Sequence, residues 1–262
     1  MNLRVFTAFS GYDSQCMALD RLKESLPDFD YELVGWSEID KYAIQAHNAV
    51  YSQWSDRNYG DISKIDWVNV PDFDLFTYSS PCQDFSSAGL QKGGDEGSGT
   101  RSSLLWECRK AIEIKKPKYL LFENVKALVS KKFIGLFNQW ISQLNLIGYS
   151  SSWKVLNAKD YGIPQNRERV FLVSILRDSE TPINSFEFPH PFALTKNIGD
   201  IAEKNVDDKY YLSNKMVEGF LKHNEHHNQK GTGFIFKPKT KEEIANCIRA
   251  NAAICPTDNT LI

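Results

Sequence analysis

The chain lacks any apolar stretch approaching the roughly 18 residues that a membrane-crossing helix needs, so no transmembrane helix is expected. Its first residues, Met1 to Phe6, run straight into strand-like sequence without the apolar core of a secretory signal. Cysteine is scarce: five residues, at positions 16, 82, 108, 247 and 255, with no Cys-x-x-Cys pair. An odd count without an export signal argues against a disulfide scaffold, and reduced thiols in a cytoplasm are the expectation. Charge of one sign is also missing. Thirty-one Lys and Arg against 33 Asp and Glu leave a formal charge of −2, which excludes a strongly basic coat protein for nucleic acid but not a local basic groove. No repeat or low-complexity tract is present. What remains is a chain of 262 residues, 42% hydrophobic, long enough for one α/β domain with an appendage and for a core that needs no metal or disulfide.

Five short runs rich in β-branched and aromatic residues precede position 177: Leu3–Phe9, Glu32–Glu38, Asp74–Ser79, Tyr119–Glu123 and Val170–Leu176. Helical spacing separates them. It is clearest over Phe133–Ile147, where Phe133, Phe137, Trp140, Ile141, Leu144 and Ile147 recur at three- and four-residue steps before Gly148. Segments 14–25, 41–50 and 104–115 also read as helices. Strands alternating with helices predict βαβ units, a mostly parallel sheet with helices on both faces, and ligand sites at the carboxyl ends of the strands. Residues 86–103 hold five of the 15 glycines and predict a mobile loop. Beyond about residue 180 the alternation stops. The expected division is therefore a catalytic domain over 1–180 and a smaller, irregular region over 181–262.

The chemistry-bearing residues cluster at the predicted strand ends. Phe9-Ser10-Gly11-Tyr12-Asp13-Ser14 follows the first strand, where a glycine lets backbone amides approach a ligand; a plain strand-to-helix turn explains it equally. Glu38-Ile39-Asp40 ends the second, where a carboxylate can accept hydrogen bonds from both hydroxyls of a ribose. Gly60-Asp61-Ile62 stands at the end of a possible third strand. Together they point to an adenosine-type cofactor. Ser80-Pro81-Cys82-Gln83-Asp84-Phe85-Ser86 places a thiol at the mouth of the glycine-rich loop, an odd position for a core cysteine. Phe122-Glu123-Asn124-Val125 puts a carboxylate at another strand end. Gln165, Arg167 and Arg169 would share a face if the last strand begins early.

This ordered set resembles the DNA cytosine-5 methyltransferases: a Phe-x-Gly turn, an acid after strand two, an Asp after strand three, Pro-Cys-Gln-x-Phe-Ser, Glu-Asn-Val and Gln-x-Arg-x-Arg. The match is dense from residue 3 to about 176 and thins through Ile198–Ser213. The resemblance implies a Rossmann-like S-adenosylmethionine-dependent sheet and a partial target-recognition region over 181–262. It implies Cys82 as nucleophile at C6 of a flipped cytosine, Glu123 on N3 and the exocyclic amine, Arg169 on O2, and Arg167 supporting the loop or the backbone. Phe9, Gly11, Tyr12, Asp13, Ser14, Glu38, Ile39, Asp61, Ile62, Pro81 and Leu104 would line S-adenosylmethionine, the product being S-adenosylhomocysteine. Ser86 and Arg101 would contact phosphates of double-stranded DNA, and no metal is implied.

Two departures stand out. Tyr12-Asp13-Ser14 occupies a stretch where the family commonly has further glycines, although an Asp or Ser there can cap the next helix. The family's last two motifs have no counterpart, so the expectation is a chain truncated within or just past its recognition region. That leaves a fragment needing a partner polypeptide as an alternative to an independent enzyme, and an RNA cytosine-5 methyltransferase as another. His226 and His227, with His223, form a polar segment whose metal-binding reading lacks a Cys or Asp at zinc-like spacing.

Overall fold

The computed structural model describes residues 2–80, 101–177, 186–231 and 236–248. Its centre is a six-stranded sheet built from β1 (Asn2–Ala8), β2 (Asp30–Ser37), β3 (Leu75–Tyr78), β4 (Tyr119–Val125), β5 (Tyr149–Asn157) and β6 (Glu168–Leu176), in the order β2-β1-β3-β4-β6-β5. β1 pairs in parallel with β2 and β3, and β3 with β4, whereas β4 and β6 are antiparallel. The chain leaves β1 toward β2 on one side and later returns to β3 on the other. That reversal is a topological switch point, and open α/β sheets bind ligands beyond the carboxyl ends of the strands at such points.

Helices α1 (Ser14–Ser25), α2 (Lys41–Val50), α3 (Glu107–Lys115) and α4 (Ile134–Ile147) cover both faces. Successive residues of β1 point to opposite sides, which sorts the core into two clusters. Leu3 and Val5 pack with Cys16 and Leu19 of α1, with Leu33 and Trp36 of β2, and with Tyr51. Phe6 and Ala8 join the larger cluster, with Phe76, Tyr78, Phe122 and the buried stripe Leu136, Phe137, Trp140 and Leu144 of α4. Trp140 also donates its indole N–H to the Tyr78 hydroxyl at 3.2 Å, so these two buried rings are bonded as well as packed. Gly148 ends α4 with φ 123°, a conformation a side chain rarely adopts.

The structure differs from the sequence-based expectation at three places. No strand runs into Gly60; Asn58 makes one isolated bridge to Trp36, and Asp61 caps a short 3-10 turn over Ile62–Lys64. β5 is an additional strand. Its Ser150-Ser151-Ser152 start carries no apolar run, because an edge strand is half-exposed and needs none. Third, the sequence beyond residue 180 is not wholly irregular: it contains α5 (Asn214–Lys230), capped by Ser213 and by Gly231 with φ 64°.

By contacts the chain divides into residues 1–155 with 169–188, and residues 156–168 with 189–262. In the second unit Asn224 of α5 exchanges two 2.7 Å hydrogen bonds with the backbone of Phe236. Ile198 and Gly199 donate to the carbonyls of Glu243 and Lys241. His223 and His227 lie one turn apart with ring centres 4.2 Å from each other and planes tilted by 47°. Among the described residues, no group of three His, Cys, Asp or Glu is placed to hold a metal, and no helix is long and apolar enough to cross a membrane.

Gly35 is the position in the sheet least able to accept a side chain. A Cβ there would lie 2.6 Å from the ring of Phe6, which is fully buried and cannot retreat. Gly35→Ala is therefore expected to lower the unfolding free energy by about 1–3 kcal/mol, measured by chemical denaturation.

Candidate active site

The turn after β1 is the most constrained backbone in the first unit. Phe9, Gly11 and Asp13 all have positive φ, at 57°, 60° and 66°. Buried hydrogen bonds hold it. Ser10 Oγ sits 2.9 Å from Thr7 Oγ1 and donates to the Thr7 carbonyl, the Ser10 amide donates to Ser37 across the sheet, and the Asp13 amide donates to Ser10. Asp13 is fully buried; its carboxylate accepts from Thr7 Oγ1 at 2.8 Å and from the Cys16 amide at 3.3 Å, capping α1. Over Gly11 the space is open: a Cβ would meet nothing within 4 Å.

Glu38, just past β2, faces this turn. One oxygen accepts from the Gly11 amide at 2.9 Å, and the other accepts from the Ile39 and Asp40 amides. Ile39 beside it is 71% exposed, and Tyr12 also reaches solvent. Asn58, which sequence reasoning passed over, binds both the backbone N–H and the carbonyl of Glu38 and so ties the 58–61 segment to the end of β2. Asp61 is partly exposed, its carboxyl held below the usual carboxylate range by hydrogen bonds from the side chain and amide of Ser63. Ile62 is buried in the core, while Phe9 and Leu104 are half-buried against it. Ser14 begins α1 and is exposed.

A second group gathers at the ends of β3, β4 and β6. The β4/β6 register sets Val125 opposite Arg169 and Glu123 opposite Phe171, so Glu123 and Arg169 are diagonal neighbours on one face. Arg169 Nε lies 3.0 Å from Glu123 Oε1, and Ser79 Oγ donates to Glu123 Oε2 at 3.0 Å. Neither charged side chain is fully buried, so the pair remains accessible to a ligand. Asn124 points to the other side, buried, and donates to the Ser80 carbonyl at 3.1 Å. That bond fastens the exit of β3, two residues before Cys82, to the exit of β4.

Pro81, Cys82 and Ser86 lie outside the described residues, as does the side chain of Arg101, whose backbone opens a 3-10 segment. Gln165 and Arg167 fall in the second unit. The strand begins at Glu168, not earlier; Gln165 bridges to Ala245, and Arg167 points a guanidinium N–H at Cys247 Sγ from 3.6 Å. The expected shared face of Gln165, Arg167 and Arg169 therefore does not form.

Two cysteines are excluded as nucleophiles. Burial, reinforced by Asp13, pushes the Cys16 thiol far above its ordinary range, and burial does the same to Cys108. Cys16 and Cys108 should stay unmodified by iodoacetamide at pH 8 in the native chain and react only after unfolding, as read by peptide mass mapping. Asn124→Asp, which keeps the shape but loses the donor to Ser80, should destabilise the chain by about 1–3 kcal/mol in the same denaturation measurement.

Comparison with known proteins gives this arrangement a family. Residues 3–256 match the family described as C-5 cytosine-specific DNA methylase. The type II methyltransferase M2.ScrFI of Lactococcus lactis subsp. cremoris is 42% identical, the alignment covering 82% of this chain and 71% of that protein. The orphan methyltransferase M.SPRI of Bacillus phage SPR is 35% identical over 93% of this chain and 58% of its own length. The chain thus spans between about half and seven tenths of such relatives, M.Rho11sI of Bacillus phage rho11s being covered over 50% of its length. Among solved structures, the Entamoeba histolytica methyltransferase EhMeth superposes with a TM-score of 0.71 at 18% identity, covering 93% of this chain and 69% of its own. A DNMT2 mutant from Spodoptera frugiperda gives 0.69 at 18% identity, covering 94% and 69%, and both likenesses speak to the fold. The extent of the match, over residues 3–256, places this chain in the C-5 cytosine-specific DNA methylase family, whose members are S-adenosylmethionine-dependent.

Proposed function

We propose that the chain methylates C5 of a cytosine flipped out of duplex DNA, using S-adenosylmethionine and a covalent Cys82 adduct. The observation that carries this reading is the Glu123–Arg169 pair beside Ser79, at the strand end that leads into Pro81-Cys82. A carboxyl and a guanidinium on one face match the N3/amine edge and the O2 of cytosine.

The residues present fit the cofactor. Open space over Gly11, the Glu38 carboxylate beside it and the exposed apolar side chain of Ile39 offer a nucleoside a hydroxyl acceptor and an apolar shelf. Phe9 would stack on adenine and Asp61 would accept from its amine, with Tyr12, Asp13, Ser14, Ile62, Pro81 and Leu104 completing the surroundings. When bound, the cofactor supplies an electrophilic methyl on a sulfonium.

The protein's part is to make C5 nucleophilic. The Cys82 thiolate adds to C6, and the electron pair of the C5–C6 bond moves toward C5 as N3 takes up a proton stabilised by Glu123. Arg169 holds O2 as negative charge develops there, and Arg167 supports the loop or backbone. After C5 is substituted, loss of its proton to a base expels Cys82 and restores the ring. C5 and C6 lie inside the stack of a duplex, so the base must leave it at a cost of a few kcal/mol. Ser86 and Arg101 are assigned to the flanking phosphates. Catalysis is assigned to residues 1–180 and target recognition to 181–262.

The test is covalent trapping on duplex DNA containing 5-fluorocytosine. The wild-type chain should form a complex that survives denaturant, and Cys82→Ala should form none; a complex with Cys82→Ala would overturn the assignment. Glu123→Gln and Arg169→Ala should each slow methylation of duplex DNA by about 100-fold or more. A tRNA substrate compared in parallel reads the choice of nucleic acid, and methylation of tRNA alone would overturn the DNA reading.

A further inference from the structure

α2 buries one of its ten residues, and that residue is a histidine. Val50 and Tyr42 of the same helix stand in solvent while His47 is fully buried. Its ring lies flat against Trp36 of β2, centroids 3.7 Å apart and planes 19° from parallel. Nδ1 is 3.3 Å from Asn48 Oδ1. Nε2 has no hydrogen-bond partner and points at Asp13 Oδ2 from 3.6 Å, with both side chains at zero exposure. A buried polar atom without a full partner costs about 1–3 kcal/mol, so packing alone gives no reason to place a histidine there. An apolar ring would fill the same space more cheaply.

Asp13 supplies the reason. It is a non-glycine residue with φ 66°, in a turn whose neighbouring Gly11 and Phe9 are also left-handed. Such a backbone persists only where its surroundings over-determine it. Thr7 and the Cys16 amide engage the Asp13 carboxylate from β1 and α1. His47 is the group that reaches it from α2, and α2 itself is capped by Asp40, whose amide donates to the same Glu38 carboxylate that holds the Gly11 amide. The carboxylate is thus bonded from β1 and α1 and approached at 3.6 Å from α2, while Glu38 holds the Gly11 amide at the other end of the segment.

We propose that His47 is a positioning residue for the cofactor turn: through Asp13 it holds the left-handed Gly11–Asp13 backbone in the geometry that binds S-adenosylmethionine, without touching the cofactor. The proposal rests on the assignment of this turn to the cofactor. Asp13 and His47 together do with side chains what additional glycines would do through backbone freedom.

The experiment is calorimetric titration of the full chain with S-adenosylhomocysteine, with thermal melts as the fold control. His47→Phe keeps a flat ring against Trp36 and loses the nitrogen; His47→Gln sacrifices the stack and keeps a donor near the Nε2 position. A positioning role predicts a Kd weakened about tenfold by His47→Phe and held within about threefold by His47→Gln. A packing role predicts the opposite order, and a His47→Phe chain that binds as wild type overturns the inference. Glu38→Ala separates the underlying assumption: if wild type does not bind, or Glu38→Ala leaves Kd unchanged, the cofactor reading of the turn fails rather than the role of His47. Should His47→Phe not fold, His47→Gln decides, with a tenfold loss, or failure to fold, overturning the proposal.

Discussion

The geometry at the carboxyl edge of the sheet depends on one constraint, the need for three left-handed residues within five after β1. Phe9 and Asp13 each adopt this backbone against a steric cost of about 1–2 kcal/mol. The compensation is local and polar. Thr7, Ser10 and Asp13 form a closed set of buried hydrogen bonds, and the Ser10 amide reaches Ser37 at the end of β2. The turn is therefore held by the buried and bonded side chains of Thr7, Ser10 and Asp13, while Gly11, its one residue free of a Cβ, faces open space. Rigidity below and openness above are what a nucleoside site requires, since ordering a floppy loop would subtract from binding.

The same edge carries the Glu123–Arg169 pair because β6 runs against β4. A parallel strand would bring its last residues to the carboxyl end of the sheet. An antiparallel one brings its first, so Arg169, the second residue of β6, arrives beside Val125, the last of β4. Glu123 then meets Arg169 diagonally, and Asn124, pointing the opposite way, is free to bind Ser80. Alternation along consecutive residues of β4 thus turns Glu123 toward Arg169 and Ser79, and Asn124 toward Ser80.

Much of this was legible in sequence. The five strands and four helices before residue 177 follow from β-branched runs alternating with three- and four-residue apolar steps, and each strand end carried a recognisable polar residue. What escaped notice did so for physical reasons. β5 is an edge strand with three serines, so it lacks the buried run by which central strands are found. Asn58 imitates a strand through its side-chain amide, which gives no periodic signal and left Asp61 reading as a strand end. α5 opens with a polar cap and carries six histidine, asparagine or glutamine residues after its midpoint, obscuring its apolar stripe. The importance of His47 could not be read from sequence, because a histidine's neighbours across a fold are not encoded by local spacing.

Gln165, Arg167 and Arg169 show why a sequence motif need not be a single site. Alternate residues share a face only where the backbone is extended and paired, and pairing with β4 begins at Arg169. Before that point the chain is held differently: the Arg167 amide donates to Asn157 Oδ1, and the Asn166 amide donates to Ala245. Arg169 consequently works with Glu123 in the first unit, whereas Gln165 and Arg167 are committed to partners in the second. The five residues carry the chain from one unit into the other, so changes at Gln165 and Arg167 act on the second unit's packing, while a change at Arg169 acts on the charge beside Glu123.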